Sequence, residues 1–172
     1  MNQYTIKTAR LFLRPLTLAD ADAVWKWVSD DRVARYMIYP TYTEREKLNE
    51  WLRSVEDQTD NYEFGFVRLS DGDLIGSGSI APDKKEGYWG FGYNLRYDCW
   101  GMGYATEAAK AMIEFAKSTF GATRFCASHA EPNLASGHVM EKCGLHFVGY
   151  GEFKKLDGTG GNLRTMDYEG IL

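Results

Sequence analysis

The hydrophobic period of this chain changes at Trp100, and that change limits the folds open to it. Ahead of it, Tyr62 to Leu69, Leu74 to Ala81 and Tyr88 to Leu95 read as strands. Ser70-Asp71-Gly72-Asp73 and Pro82 to Gly87 read as turns, so the three strands form an antiparallel meander. Gly90 and Gly92 inside the third strand suggest a bulge or a close backbone approach. Behind Trp100, Tyr104 to Phe120 places Ala105, Ala108, Ala109, Met112, Ile113, Ala116 and Phe120 at helical spacing, and Gly121 stops the helix. Thr123 to Ser128 then reads as a strand and Asn133 to Gly144 as a short helix. Leu145 to Glu152 and Asn162 to Tyr168 are the closing strands, with a loop at Asp157 to Gly161.

The start of the chain fits the same plan. Ala9, Leu11 and Leu13 alternate with Arg10, Phe12 and Arg14, a strand closed off by Pro15. Thr17 and Asp20 resemble a helix N-cap, with an amphipathic helix running through Trp25 and Val28. Thr43-Glu44-Arg45-Glu46 has the form of a capping box and opens a helix with Leu48, Trp51, Leu52 and Val55 on one face. No linker, repeat or composition shift divides the chain. The expected fold is one α/β domain over residues 1–172: a mixed, mostly antiparallel sheet of six to seven strands flanked by helices.

Composition excludes several function classes. With 44% hydrophobic and 26% charged residues, 172 residues can bury a core without disulfides. A net charge of −4 argues against a nucleic-acid partner. Three cysteines with no CxxC spacing argue against a disulfide framework or a zinc site, and fit a reducing compartment. Met1-Asn2-Gln3-Tyr4 carries no basic leader and no apolar run approaches membrane length, so a cytoplasmic protein without a membrane partner is expected. Aromatic residues reach 15%, enough to line a pocket as well as a core.

The chemistry concentrates at Trp100-Gly101-Met102-Gly103-Tyr104-Ala105-Thr106-Glu107, which links a strand to a long helix. The first amides of a helix lack internal partners and its dipole adds positive charge there. Glycines let an anion approach the backbone, so a phosphate or pyrophosphate is the natural ligand. A tight turn that needs glycine only for steric reasons is the competing reading. The segment is neither a P-loop nor a dinucleotide fingerprint: no Gly-Lys-Ser/Thr follows, and Thr106 stands where the third glycine belongs.

A second segment is Asn133-Leu134-Ala135-Ser136, followed by Glu141-Lys142-Cys143-Gly144-Leu145. Taken with Trp100-x-x-Gly103-x-Ala105, Tyr104 to Ala108, and Leu11-x-Leu13-Arg14-Pro15-Leu16, it resembles the GNAT family of N-acetyltransferases. Within the family it is most similar to the branch that acetylates ribosomal-protein N-termini. The resemblance implies a sheet splayed between its fourth and fifth strands, with acetyl-CoA wedged into the gap. Leu95 would bond the pantetheine arm. Trp100, Gly101, Met102, Gly103, Tyr104, Ala105 and Thr106 would hold the pyrophosphate, and Asn133, Ser136 and Lys142 would complete the cofactor site. No metal is implied.

For catalysis, the family's Tyr acid is replaced by Met140, and Ser136 stands where this branch has a thiolate-protonating Ser. Ser136 also reads as an ordinary helix-start residue. Ser128, Glu131, His129 and a water relayed by backbone carbonyls compete for the base, with His129 reading better as a surface-loop residue. Cys99 has no partner that would make it a nucleophile. Trp25, Trp27, Tyr36, Met37, Tyr39, Tyr42 and Trp51 concentrate in the first helices, and Trp25 and Trp51 read as core. Met37, Tyr39 and Tyr93 are the expected acceptor-pocket residues, favouring an amine with an apolar group. The expected activity is acetyl transfer from acetyl-CoA to a primary amine, either a small molecule or a protein N-terminus. A catalytically weak acyl-CoA-binding sensor is the alternative, kept open by Met140. A homodimer is an expectation that the resemblance alone supplies.

Overall fold

Leu11 and Leu13 in β2 (Leu11–Arg14) are fully buried, whereas Phe12 and Arg14 between them are partly exposed. That alternation, repeated along the chain, builds the sheet. The computed structural model describes residues 3–172. The first two residues of the expected domain, Met1 and Asn2, lie outside the described residues. The other strands are β1 (Ile6–Lys7), β3 (Tyr62–Arg68), β4 (Leu74–Pro82), β5 (Trp89–Leu95), β6 (Arg124–Ala130), β7 (His146–Lys154) and β8 (Asn162–Ile171). Their order is β1-β2-β3-β4-β5-β6-β8-β7. The described residues thus hold eight strands, which corrects the expected six to seven. The extra strand, β1, has two residues and is too short to carry a sequence period.

All neighbours pair antiparallel except β5 and β6, which run parallel and pair only through Trp89–Phe125 and Gly90–Cys126. Beyond Gly90 the two strands part. The expected splay is therefore present, between the fourth and fifth strands of the sequence count.

Helices cover both faces. α1 (Ala21–Val28), α2 (Asp31–Ala34) and α3 (Arg45–Glu56) close one face around Leu16, Val24, Trp27, Leu48 and Leu52. On the other face, α4 (Tyr104–Phe120) packs Ala108, Ala109, Met112 and Ala116 against Phe64, Phe66 and Phe91. α5 (Leu134–Lys142) adds Met140 to that core. α4 matches its expected bounds residue for residue, and Gly121 ends it in the left-handed region at φ 69°.

Several details differ from the sequence reading. The Thr43 capping box is not formed: α3 begins at Arg45 after Glu44, with no side-chain cap bond. At the first helix, Asp20 does act as expected, accepting from the Thr17 N–H at 2.8 Å. The four residues of α2 carry no helical period and were not expected. β5 keeps a regular register through Gly90 and Gly92, and the irregularities lie at Phe66/Val67 and Phe147/Gly149. The close approach falls instead on β4, where a Cβ at Gly76 would sit 2.3 Å from the Asn94 carbonyl oxygen. Trp27 is fully buried and belongs to the core, not to a pocket wall.

Candidate active site

The loop at Trp100–Gly103 is an open, glycine-dependent turn at the head of α4. Gly101 and Gly103 take φ of 73° and 81°, a region that disfavours side chains, and nothing lies within 4 Å of a Cβ built at Gly101. Glu107 donates to the Gly103 carbonyl at 3.1 Å as the first bond of α4. The amides ahead of it lie outside the helical ladder and are available to a ligand.

Arg10 latches this loop from β2's side of the sheet. Its Nη1 donates to the Met102 carbonyl at 2.9 Å and its Nε to Glu107 Oε2 at 2.7 Å. Glu107 also accepts from Thr8 Oγ1 at 2.6 Å and from the Arg10 N–H at 2.8 Å. Burial pushes the Glu107 carboxyl up, but these hydrogen bonds outweigh it and hold the group below the usual range. The Arg10 guanidinium also stacks 4.5 Å from the Tyr104 ring. Before the loop, Arg96 ties Asp73 and Asp98 together at 2.7 and 2.6 Å. Cys99 is buried there, and burial raises its thiol pKa, so it behaves as a packing residue.

Leu95 ends β5 at the mouth of the splay. Its carbonyl accepts from Trp100 Nε1 at 2.9 Å, so the strand end and the loop are joined. Across the gap, Tyr93 donates to the Ser136 carbonyl at 3.1 Å, and its hydroxyl lies 2.9 Å from Ser136 Oγ. Burial pushes the Tyr93 hydroxyl up, against the opposing pull of Ser136, so it keeps its proton through neutral pH. Ser136 therefore spends its hydroxyl on Tyr93 rather than on its own helix.

The structure separates the expected acceptor residues. Tyr93 packs with the α4 core, whereas Tyr39 and Tyr42 pack with the α1–α3 core on the opposite face. Tyr93 thus does not share a face of the sheet with Tyr39, because side chains alternate along β5 and Tyr93 points toward α4. The expected bases are dispersed as well. Glu131 lies 3.4 Å from Arg164 as a surface ion pair. Ser128 is exposed and lines a groove of about 450 Å³ with Asp83, Gly90, Glu152 and Asp167. His129 is no surface-loop residue: it is 5% exposed on β6, with Nδ1 2.8 Å from the Ala130 carbonyl. Its Nε2 would meet a Cβ at Gly137 at 2.8 Å, so only glycine fits on the helix above it. Asn133 heads α5 without a side-chain cap bond, and Lys142 is exposed at the helix end.

Sequence reasoning missed the Arg10 latch and the Tyr93–Ser136 bridge. The signals available were an arginine three residues before the first proline-terminated Leu-Arg-Pro and a tyrosine in a glycine-rich strand, and neither names its partner. Among the described residues, no cluster of His, Cys, Asp or Glu has the makings of a metal site, and no helix is long and apolar enough to cross a membrane. The splay, the glycine loop with free amides and the absence of bulk at Gly101 fit the pantetheine and pyrophosphate of a coenzyme A thioester.

Comparison with known proteins bears on this site. The family model for the acetyltransferase (GNAT) domain matches residues 10–146. YnaD of Bacillus subtilis, an uncharacterized N-acetyltransferase, is 30% identical over 168 residues, covering 97% of this chain and 96% of that protein. The crystal structure of a GNAT-family acetyltransferase from Bacillus anthracis superposes with a TM-score of 0.83 at 24% identity, covering 98% of each chain. RimL, a ribosomal L7/L12 α-N-protein acetyltransferase solved with coenzyme A, superposes with a TM-score of 0.81 at 17% identity, again over 98% of each chain. The matched model spans the latch, the glycine loop and α5, and the chain belongs to the GNAT acetyltransferase family as an N-acetyltransferase.

Proposed function

We propose that the protein moves an acetyl group from acetyl-CoA directly to a primary amine, with both substrates bound at once. The observation that carries this reading is the bridge between Tyr93 and Ser136 at the mouth of the β5–β6 splay, on the face of the sheet covered by α4, the helix that the Gly101–Gly103 loop opens. The loop amides would take the pyrophosphate, with Asn133 and Lys142 toward the pantetheine and adenosine ends. The Leu95 strand end would align the thioester arm. Since its carbonyl already accepts from Trp100, any bond from Leu95 to the thioester oxygen comes from the amide.

Attack by the amine breaks the C–S bond and leaves a thiolate that needs a proton. Met140 cannot donate one, and it is buried in the α4 core. The Tyr93 hydroxyl reaches α5 from another element and, with Ser136, forms a donor pair at the gap. Burial raises the Tyr93 hydroxyl, so it stays protonated and is available as a donor where Met140 offers none. This supports turnover over the sensor alternative, whose motive was the missing tyrosine.

The acceptor enters from the α1–α3 face, where Tyr39 and Tyr42 pack and Met37 lies two residues before Tyr39 in the chain. Rings there favour an amine on an apolar stem and disfavour the ammonium form, which must lose its proton before attack. Thiol release from acetyl-CoA against a panel of primary amines and N-terminal peptides tests the reading. Turnover of at least one amine class, lowered roughly tenfold or more in Tyr93→Phe/Ser136→Ala, is the expected result. Acetyl-CoA binding with no turnover across the panel would favour the sensor.

A further inference from the structure

On the acceptor face of the sheet, three strands present one row of side chains. Directly paired residues of antiparallel strands share a face, and Glu63 pairs with Ser79, which pairs with Gly92. One step along, Gly65 pairs with Ser77, which pairs with Asn94. Nothing lies within 4 Å of a Cβ built at Gly92, so the row ends in open space where β5 leaves β6. The Ser79 hydroxyl hydrogen-bonds the Glu63 carboxyl and stands between it and that opening.

Two polar atoms around the row are buried without a hydrogen-bond partner: Tyr39 Oη and Asn94 Oδ1. Leaving such atoms unpaired costs about 1–3 kcal/mol each, so a fold rarely retains them without a use. Asn94 reaches Ser77 only at 3.4 Å through Nδ2, leaving its oxygen for something else. Tyr39 feels the Glu63 charge, and its main chain is fixed by Lys155 Nζ at 3.2 Å.

We infer that Glu63 is the base that receives the acceptor's ammonium proton, through the Ser79 hydroxyl, while Tyr39 Oη and Asn94 Oδ1 hold the amine at Gly92. The acceptor is thus a primary ammonium on an uncharged stem. The inference rests on the acetyl-transfer reading and gives it a proton path. The ammonium N–H proton passes to Ser79 Oγ as the Ser79 proton passes to the Glu63 carboxylate. The freed lone pair forms the C–N bond at the thioester carbon, and the C–S bond breaks. As the C–N bond becomes an amide, the second nitrogen proton leaves to water at the exposed Gly92 opening. Tyr93, backed by Ser136, protonates the departing sulfur and is reprotonated from water, and Glu63 returns its proton to water before the next turnover. Burial pushes the Glu63 carboxyl up to about 7, opposed only in part by Ser79. That value suits a base working near neutrality. The titratable groups facing it across the niche are Tyr39 and, packed on Tyr39 at 6.0 Å, Tyr42.

Phenethylamine serves as the probe amine. With acetyl-CoA saturating, kcat/KM of the wild type should rise through pH 7. Glu63→Gln should lower kcat at least tenfold and abolish that limb, Glu63→Asp should restore part of it, and Ser79→Ala should lower kcat as well. Acetyl-CoA affinity should stay within twofold in all three, since none touches the loop. Failure of acetyl-CoA to bind the wild type would instead strike at the acetyl-transfer reading. Independently of turnover, the Glu63 carboxyl carbon, assigned by its loss in Glu63→Gln, should titrate near 7 and shift when phenethylamine is added. A carboxyl that titrates in the ordinary glutamate range, or ignores the amine, overturns the inference. So does an unchanged pH profile in Glu63→Gln.

Discussion

The Tyr93 hydroxyl stands 2.9 Å from Ser136 Oγ, and this one contact joins β5 to α5 across the mouth of the splayed sheet. In the proposed acetyl transfer, this protonated phenol is the donor to the leaving thiolate. Tyr93→Phe and Ser136→Ala should each lower kcat by roughly tenfold or more, at the low end of acid catalysis. Acetyl-CoA affinity should change little, and the double variant should lose much less than the product of the two. Steady-state thiol release with a calorimetric titration reads both quantities. Additive losses would mean that the two hydroxyls act separately.

The Arg10–Glu107 latch predicts a pH-dependent loop. Glu107 is held below the usual carboxylate range, so its contribution is present above the unfolded value and is lost as pH falls through the folded one. The stability gap between wild type and Arg10→Ala should therefore be largest near pH 7 and close below about pH 4. With Arg10 46% exposed, that gap should be about 1 kcal/mol or less and should shrink in high salt. Acetyl-CoA affinity should fall more than stability does, because the latch fixes the Met102 carbonyl inside the loop. Chemical denaturation across pH checks the first part.

Glu63 carries the opposite sign. Its folded value of about 7 exceeds the ordinary 4.5, so the folded state holds a proton that the unfolded state gives up between them. Stability should fall as pH rises through that window. Glu63→Gln should stabilise the fold by about 3 kcal/mol at pH 8 and leave it nearly unchanged at pH 4.5. Melting curves at the two pH values decide this. A variant that melts lower than wild type at pH 8 would contradict the burial argument.

Tyr39→Phe removes a buried hydroxyl that has no partner. The fold should gain stability or hold level, within about 1 kcal/mol. KM for the acceptor should rise several-fold while kcat at saturation moves less. A clear loss of stability would mean that the hydroxyl has a structural bond.

Much of the fold was legible because long elements carry strong periods. α4 was readable end to end: seven apolar residues at helical spacing, a glycine loop before it and Gly121 after it. The splay and the role of Ser136 were both implied by the family resemblance. The rest depends on facts a period does not hold. β1 and α2 are too short for one. Thr43 offered capping chemistry, but the chain enters α3 one residue later. Tyr93 was assigned to the right strand and the wrong face, since alternation gives two faces without saying which is which. Glu63, between Tyr62 and Phe64, reads as the solvent side of a strand. Only the helices folded over that face make it a buried carboxyl. His129 was misread for the complementary reason, as polar sequence that packing buries beneath Gly137.

Binding of acetyl-CoA through the glycine loop is the claim on which everything else stands. Gly103 sits at φ 81° with Arg10 Nη2 3.3 Å from the position of a Cβ, so Gly103→Val strains the loop and pushes the latch aside. Calorimetric titration of wild type and Gly103→Val with acetyl-CoA, alongside ATP and NAD, tests it directly. Saturable binding of one acetyl-CoA per chain to the wild type, weaker or no binding of ATP and NAD, and loss of acetyl-CoA binding in a variant that still melts cooperatively is the predicted result. No heat from millimolar acetyl-CoA with the wild type, or equal affinity in the folded variant, would contradict it.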